Sequence, residues 1–386
     1  MTNSATQQER RKKIIIMTVD FGGGHKAMSR NLIDVISEYD PSIEIKVIDV
    51  IKDAWPAFSN GTSKMYADSS SNNNGFWFKV YYRLTDKFPA PLRWLGHIVF
   101  GNYAKKKYKS ENPDMIIATF PLLADVAVAA RDANHGTAPV LVTVTDAGNI
   151  QGIWISKVAD HTLTATSDTV DYLVSRGMDP DKVSFIGFPA AKQFYNPGNK
   201  LTLRKKHGLK PDVFTILLTA GGAGLNYRKA VRVAEEIAKI RLPYQIILNA
   251  GSNDLLKQEF ESIKFPYAEK VIIEGYTDKM PDYITASDVI CCKSGWLTVN
   301  ECLVLQRPLV LYDAVPGHEE QNVQFVVSNQ FGVFEEDPGK VANHVKRLML
   351  SPEAFKSYQD SMKQAHTNKN PYEELGALIG NYLLKG

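Results

Sequence analysis

Cysteine is scarce in this chain: three residues in 386, Cys291, Cys292 and Cys302, fall within one apolar stretch. That number and spacing exclude a disulfide scaffold and a cysteine-ligated metal centre, and fit reduced, buried thiols of a cytosolic protein. Long hydrophobic runs are missing: none approaches the ~20 residues of a transmembrane helix, and the opening MTNSATQQERRKK is too polar for a signal peptide. A cytoplasmic protein, at most peripheral on a membrane, is expected. An excess of charge is missing too. Lys and Arg number 45 against 42 Asp and Glu, and the formal +3 is too small to suggest nucleic-acid binding. There is no repeat of solenoid length, no G-x-G-x-x-G fingerprint and no Walker loop, and low complexity is limited to SSSNNNG at 69–75.

What is present is alternation. Apolar, β-rich runs at 13–19, 43–50, 115–120, 139–145, 161–165 and 183–187 are separated by segments such as 25–39, 122–134 and 167–177 with helical spacing. The proline-rich, polar stretch 191–212 reads as a linker. The alternation then restarts with strands near 213–219, 244–249, 271–274, 288–292, 308–312 and 331–334. Continuous apolar strands separated by helices predict parallel sheets covered on both faces. The expected architecture is α/β: two doubly wound domains, 1–190 and 213–365, facing across a cleft, with a terminal helix at 366–386 packing back on the first.

The turns at the carboxyl ends of the strands carry the chemistry. The first strand runs into FGGGHKA, with Gly24 and His25 at the start of a helix, and the first strand of the second half runs into Gly221, Gly222, Ala223 and Gly224. Glycines there let the backbone bend or be approached closely, and the following helix start offers free N–H groups to an anion. A third such place is Ser294–Gly295 before a helix that begins at Trp296. The N–H groups of Trp296, Leu297 and Thr298, with the Thr298 hydroxyl, suit a phosphate, and Glu301 one turn on suits the two hydroxyls of a ribose. After the next strand, Glu319, Glu320, Gln321 and Asn322 can hold sugar hydroxyls. Taken singly, Glu301 would usually be a residue that merely favours the helix N-terminus, and HEEQN a solvated first turn.

The order C-K-S-G-x-L-T-x-x-E, then P-L-V-L, then P-G-x-E-x-x-N resembles the donor site of glycosyltransferase family 28. That family includes monogalactosyldiacylglycerol synthases, processive diacylglycerol glucosyltransferases and the N-acetylglucosaminyltransferase that makes lipid II. GGGH is similar to the family's N-terminal loop, GGAG to its second glycine loop, and EGYTDKMPDYITASDV at 274–289, which contains Tyr276, to the segment that brackets the uracil ring. The resemblance covers nearly the whole chain and implies a GT-B fold, a UDP-sugar donor and, in the lipid-synthase branch, a diacylglycerol acceptor.

Within that frame His25 lies beside the anomeric carbon, where an imidazole can take the acceptor's hydroxyl proton, with Asp146 orienting acceptor or base. The leaving diphosphate is expected to be stabilised by helix starts and glycine turns, with no metal. The string Asp179-Pro180-Asp181 reads as a turn, not as a metal motif. The region 76–109 interleaves aromatics with cations, including Trp77, Tyr81, Trp94, Lys105, Lys106 and Lys107. In this family it corresponds to the membrane-docking and acceptor region. Two departures stand out: TDAGNIQGIW lacks the branch's usual histidine, and Trp296 replaces a small residue, which is expected to narrow the donor pocket. A UDP-sugar epimerase of the same fold and a nucleotide-sugar-binding protein without turnover are the competing readings.

Overall fold

The computed structural model describes residues 10–19, 24–54, 85–222, 224, 226–317, 319–364 and 369–385. The first sheet contains β1 (Lys13–Thr18), β2 (Glu44–Asp49), β3 (Met115–Ala118), β4 (Val140–Thr143), β5 (His161–Thr164) and β6 (Val183–Phe185). The second contains β7 (Thr215–Thr219), β8 (Tyr244–Asn249), β9 (Ala268–Glu274), β10 (Val289–Lys293), β11 (Leu309–Asp313) and β12 (Gly332–Phe334). All pairings are parallel, in the orders β2-β1-β3-β4-β5-β6 and β12-β11-β10-β7-β8-β9. Ile14, Ile16, Ile117, Leu217 and Ile290 are fully buried, as central strands covered by helices on both faces require. This is the two-sheet GT-B architecture.

The strand orders place the chemistry. In the first sheet the chain leaves β1 toward β2 on one side and returns to β3 on the other; in the second it leaves β7 toward β8 and returns to β10. At each such reversal the two connecting turns diverge and leave a crevice above the strand ends. One crevice lies beyond β1 and β3, the other beyond β7 and β10.

Five helices matter below: α1 (Gly24–Tyr39), α2 (Pro89–Glu111), α3 (Leu123–Asp132), α4 (Trp296–Val304) and α5 (Glu320–Ser328). A single buried cluster runs from Ile14, Met28 and Leu32 of the first domain through Phe188 to Trp296, Phe325 and Ile290 of the second, so the two halves share apolar packing. The stretch 191–212 is not a bare linker. It holds helices Lys192–Tyr195 and Lys200–Lys206, and buried Arg204 pairs at 2.6 Å with Asp288, whose carboxylate also accepts from Thr215 N. The partner of Arg204 lies 84 residues away, beyond the reach of local periodicity. Asp179 Oδ1 accepts from Asp181 N in a single turn of 3-10 helix. The terminal helix Pro371–Lys385 lies against α1, where the Tyr39 ring occupies the space that a side chain at Gly376 would need.

Candidate functional site

On the first domain's side, β1 and β3 end side by side, and the Thr119 hydroxyl donates to Thr18 Oγ1 at 2.8 Å. His25 is the second residue of α1, and its Nδ1 lies 2.8 Å from the Thr119 carbonyl. A carbonyl only accepts, so Nδ1 carries the hydrogen and Nε2 carries the lone pair. The ring stands edge-on to Phe120, with centroids 5.2 Å apart. A Cβ built on Gly24 would meet nothing within 4 Å. Gly22 and Gly23 lie outside the described residues. Asp146 is buried beyond the end of β4, and its neighbours Ala147 and Gly148 reach the second domain. Ala147 N donates to Asn322 Oδ1 at 3.3 Å.

On the second domain's side, Gly221 (φ 78°) and Gly224 (φ 58°) turn the chain after β7 through the left-handed region. The turn is stitched to the one after β8: Ser252 N donates to Gly222 O at 2.9 Å, and Asn253 Nδ2 to Gly224 O at 3.0 Å. Gly251 (φ 59°) closes the stitch, and a Cβ there would stand 2.4 Å from Gly221 O. Gly251→Ala therefore combines backbone strain with a clash, and a loss of about 2 kcal/mol in thermal or urea unfolding is expected. Open space faces Gly221 and Gly222. Ala223 lies outside the described residues.

Beside that turn, Ser294 and Gly295 lead from β10 into α4. Gly295 supplies no capping side chain, so the first N–H groups, those of Trp296, Leu297 and Thr298, have no acceptor within the helix. Ser294 faces inward: its buried hydroxyl donates to Asp313 O at 3.2 Å and lies 3.3 Å from Glu319 Oε2. The Glu319 carboxylate also accepts from Val315 N at 2.9 Å, and thereby holds the β11–α5 turn against β10. Trp296 does not narrow the pocket. Its ring is buried between Phe188 (6.4 Å) and Phe325 (5.4 Å), in the apolar contact between the domains, and only its backbone N–H belongs to the helix start. Asn322 is fully buried, with Nδ2 donating to Ser294 O at 3.0 Å. Glu320 is exposed, Gln321 half-buried, and Tyr276 is an exposed ring beyond β9.

Glu301 is set one turn into α4 and is partly buried. Desolvation pushes its carboxyl from the ordinary 4.5 up to about 8. A carboxyl held at this depth beside an anion-accepting helix start is suited to neutral hydroxyl partners. Among the described residues, no three His, Cys, Asp or Glu side chains converge as a metal ligand set.

Of the aromatic and basic region, Trp77 and Tyr81 lie outside the described residues. Helix α2 exposes Trp94 (67%), Leu95 and Ile98, with Phe88 just before it, and Lys105, Lys106 and Lys109 toward its end. Lys107 instead lies over the Tyr103 ring, 5.8 Å from its centroid. Thr119, which sets the histidine tautomer, carries no signal in the sequence; only the adjacency of β1 and β3 identifies it.

The Monogalactosyldiacylglycerol (MGDG) synthase family matches residues 25–190, and the Glycosyltransferase family 28 C-terminal domain matches residues 215–374. The processive diacylglycerol beta-glucosyltransferase of Bacillus pumilus is 26% identical over 356 residues, spanning 92% of this chain and 91% of the relative. Among solved structures, Acinetobacter baumannii MurG superposes with a TM-score of 0.63 at 15% identity, covering 96% of this chain and 99% of the other. The UDP-GlcNAc 2-epimerase of Neisseria meningitidis superposes with 0.60 at 15%, covering 97% and 100%. Fold alone thus does not separate transferases from epimerases, but the matched families do. The chain belongs to glycosyltransferase family 28, with a monogalactosyldiacylglycerol synthase domain in its first half and the family's C-terminal domain in its second, and is a hexosyltransferase.

Proposed function

We propose that the protein transfers a hexose from a UDP-sugar to diacylglycerol at a membrane surface. Two observations carry the reading: the strand-reversal end of the first sheet holds an imidazole with its Nε2 lone pair set by Thr119, and that of the second holds an uncapped helix start and a glycine turn. His25 Nε2 takes the proton of the glycerol hydroxyl as that oxygen bonds to the anomeric carbon. The bond from that carbon to the UDP oxygen breaks, and the diphosphate leaves with the electron pair. The N–H groups of Trp296, Leu297 and Thr298, with that of Gly222, meet the growing negative charge; the Gly221 and Gly224 N–H groups are donated to Thr219 Oγ1 and Gly221 O and shape the turn instead. Chelation by EDTA is expected to leave turnover unchanged.

Radiolabelled UDP-sugars incubated with and without diacylglycerol vesicles test the proposal. Lipid-dependent incorporation is the expected result, and sugar interconversion without lipid would replace it with an epimerase.

Glu301 is assigned to the ribose. Glu301→Ala should weaken UDP binding by about 2 kcal/mol, the worth of hydrogen bonds to a charged group, with the fold retained. Because the free carboxyl titrates near 8, ribose hydroxyls bound to the carboxylate require proton release at pH 7. UDP affinity should then rise with pH and level off above about 8, and calorimetry in buffers of different ionisation enthalpy should register close to one proton released. The raised value also means that the folded state holds the proton more tightly. Stability should therefore fall as pH rises from 4.5 to about 8, and Glu301→Gln should flatten that fall.

The exposed apolar face of α2 and the lysines that follow it are assigned to peripheral membrane contact. Among the described residues, no helix is long and apolar enough to cross a membrane.

A further inference from the structure

We infer that Asn322 is a positioning residue which couples the donor turn of the second domain to the Asp146 loop of the first, and not a ligand of the sugar. The inference rests on the donor site proposed above.

Asn322 is 0% exposed, and its amide bridges the two domains: Nδ2 donates to Ser294 O at 3.0 Å, and Oδ1 accepts from Ala147 N at 3.3 Å. Ser294 is the residue from which the α4 start is built. Ala147 follows Asp146 directly and is itself fully buried. The loop that presents Ala147 N is fixed on its own side, where the Thr169 hydroxyl donates to Gly148 O at 3.2 Å and Gly148 takes a left-handed φ of 69°. The Gly148 Cβ direction points to Gln321 O, 3.9 Å away, so the first turn of α5 and this loop are in contact along two residues. A primary amide suits the bridge because it carries a donor and an acceptor at once, and both faced groups are backbone groups that are costly to leave unpaired in the interior.

The same two domains meet a second time at Phe188, whose carbonyl accepts from Asn300 Nδ2 of α4 at 3.5 Å. Asn31 of α1 donates to Pro189 O at 2.7 Å, and the neighbouring Phe188 carries the ring that meets Trp296. The helix that bears His25 and the helix that starts at Trp296 thus share one crossover. Asn322 is thus the amide that ties the Asp146 loop to the second domain, apart from the contact at Phe188. A nucleotide that orders the Ser294–Thr298 turn fixes the Ser294 carbonyl, hence the Asn322 amide, hence the Ala147 N–H; the coupling is reciprocal.

Hydrogen exchange followed by mass spectrometry, with UDP as the probe, tests this on the full chain. In the wild type, UDP should slow exchange in the 144–150 peptide at least threefold while also protecting 294–301. Protection of 294–301 with no change at 144–150 would overturn the coupling. In Asn322→Ala without nucleotide, exchange at 144–150 should rise at least tenfold, and an unchanged rate would overturn the bridge. In the same variant UDP and UDP-glucose should lose affinity by equal factors, with the KM for UDP-glucose rising by no more than that factor while kcat falls at least tenfold. Loss of UDP-glucose affinity alone would make Asn322 a sugar ligand instead. If Asn322→Ala does not fold, the wild-type comparison still decides. If UDP protects neither peptide, the donor-site assignment fails, and the bridge is judged by the nucleotide-free exchange of the variant.

Discussion

Replacing His25 by Ala is expected to lower turnover by about 10²–10⁴-fold, the usual worth of a positioned general base. The nucleotide contacts assigned to the second domain do not involve the imidazole, so UDP affinity should stay within about threefold of wild type. The geometry sharpens the expectation. With Nδ1–H donated to the Thr119 carbonyl, only Nε2 can receive a proton without breaking that bond. The acidic limb of the kcat profile, which reports protonation of the base in the bound complex, should disappear in His25→Ala. His25→Gln keeps a donor toward Thr119 O but offers no basic nitrogen, so it should be as slow as the Ala variant. Near-normal turnover in either variant would return His25 to the role of a helix-start residue anchored to β3. Steady-state kinetics with saturating UDP-sugar and mixed vesicles make the measurement.

The second large effect concerns the membrane. Lys105, Lys106 and Lys109 are exposed toward the end of α2, whereas Lys107 lies over the Tyr103 ring and has less freedom to meet a headgroup. Each exposed cation near an anionic surface contributes about 1 kcal/mol, so changing the three to Gln should weaken binding to anionic vesicles about 100-fold at low salt. The apolar contact is on the same helix. Trp94 and Ile98 are one helical turn apart and exposed at 67% and 56%. Trp94→Ala with Ile98→Ala should weaken binding even near 1 M salt, where the Debye length is about 3 Å and the lysine term is screened. A net charge of +3 gives no global reason for such binding, so a local patch is what the experiment reads. Co-sedimentation across a salt series separates the two terms. If the wild type ignores anionic vesicles, or all five substitutions leave sedimentation unchanged, α2 is not the membrane face and a water-soluble acceptor becomes the better reading.

Some of this was settled by the order of residues along the chain. Parallel strands covered on both faces must be apolar throughout, so runs such as KIIIMT, TILLT and VICCK announce themselves without any knowledge of their neighbours. The Gly221–Gly224 turn and the Ser294–Gly295 helix start were legible for the same local reason, since left-handed φ and an uncapped helix start both have residue signatures. Motif order then pointed to family 28.

What depended on partners far along the chain was not legible. The helix Lys200–Lys206 lies in a stretch read as a linker because it is rich in proline and polar residues and lacks a clear period; the buried pair with Asp288 and packing against the second domain hold these seven residues, too few to be stable alone. Trp296 stood at a pocket position in the motif, yet its ring turned inward because Phe188 and Phe325 offer an apolar slot between the domains. Asn322 looked like a sugar ligand by composition, and only the approach of Ala147 from the other sheet turned its amide into a bridge. The tautomer of His25 required β3 to lie beside β1, which brings the Thr119 carbonyl, 94 residues away in sequence, to the ring. Residue types and local spacing decided which chemistries the chain can hold, because backbone propensity and burial pattern act over a few residues. The sheet orders and the contact between domains decided which groups meet, because hydrogen bonds and packing act between atoms close in space however far apart they are in sequence.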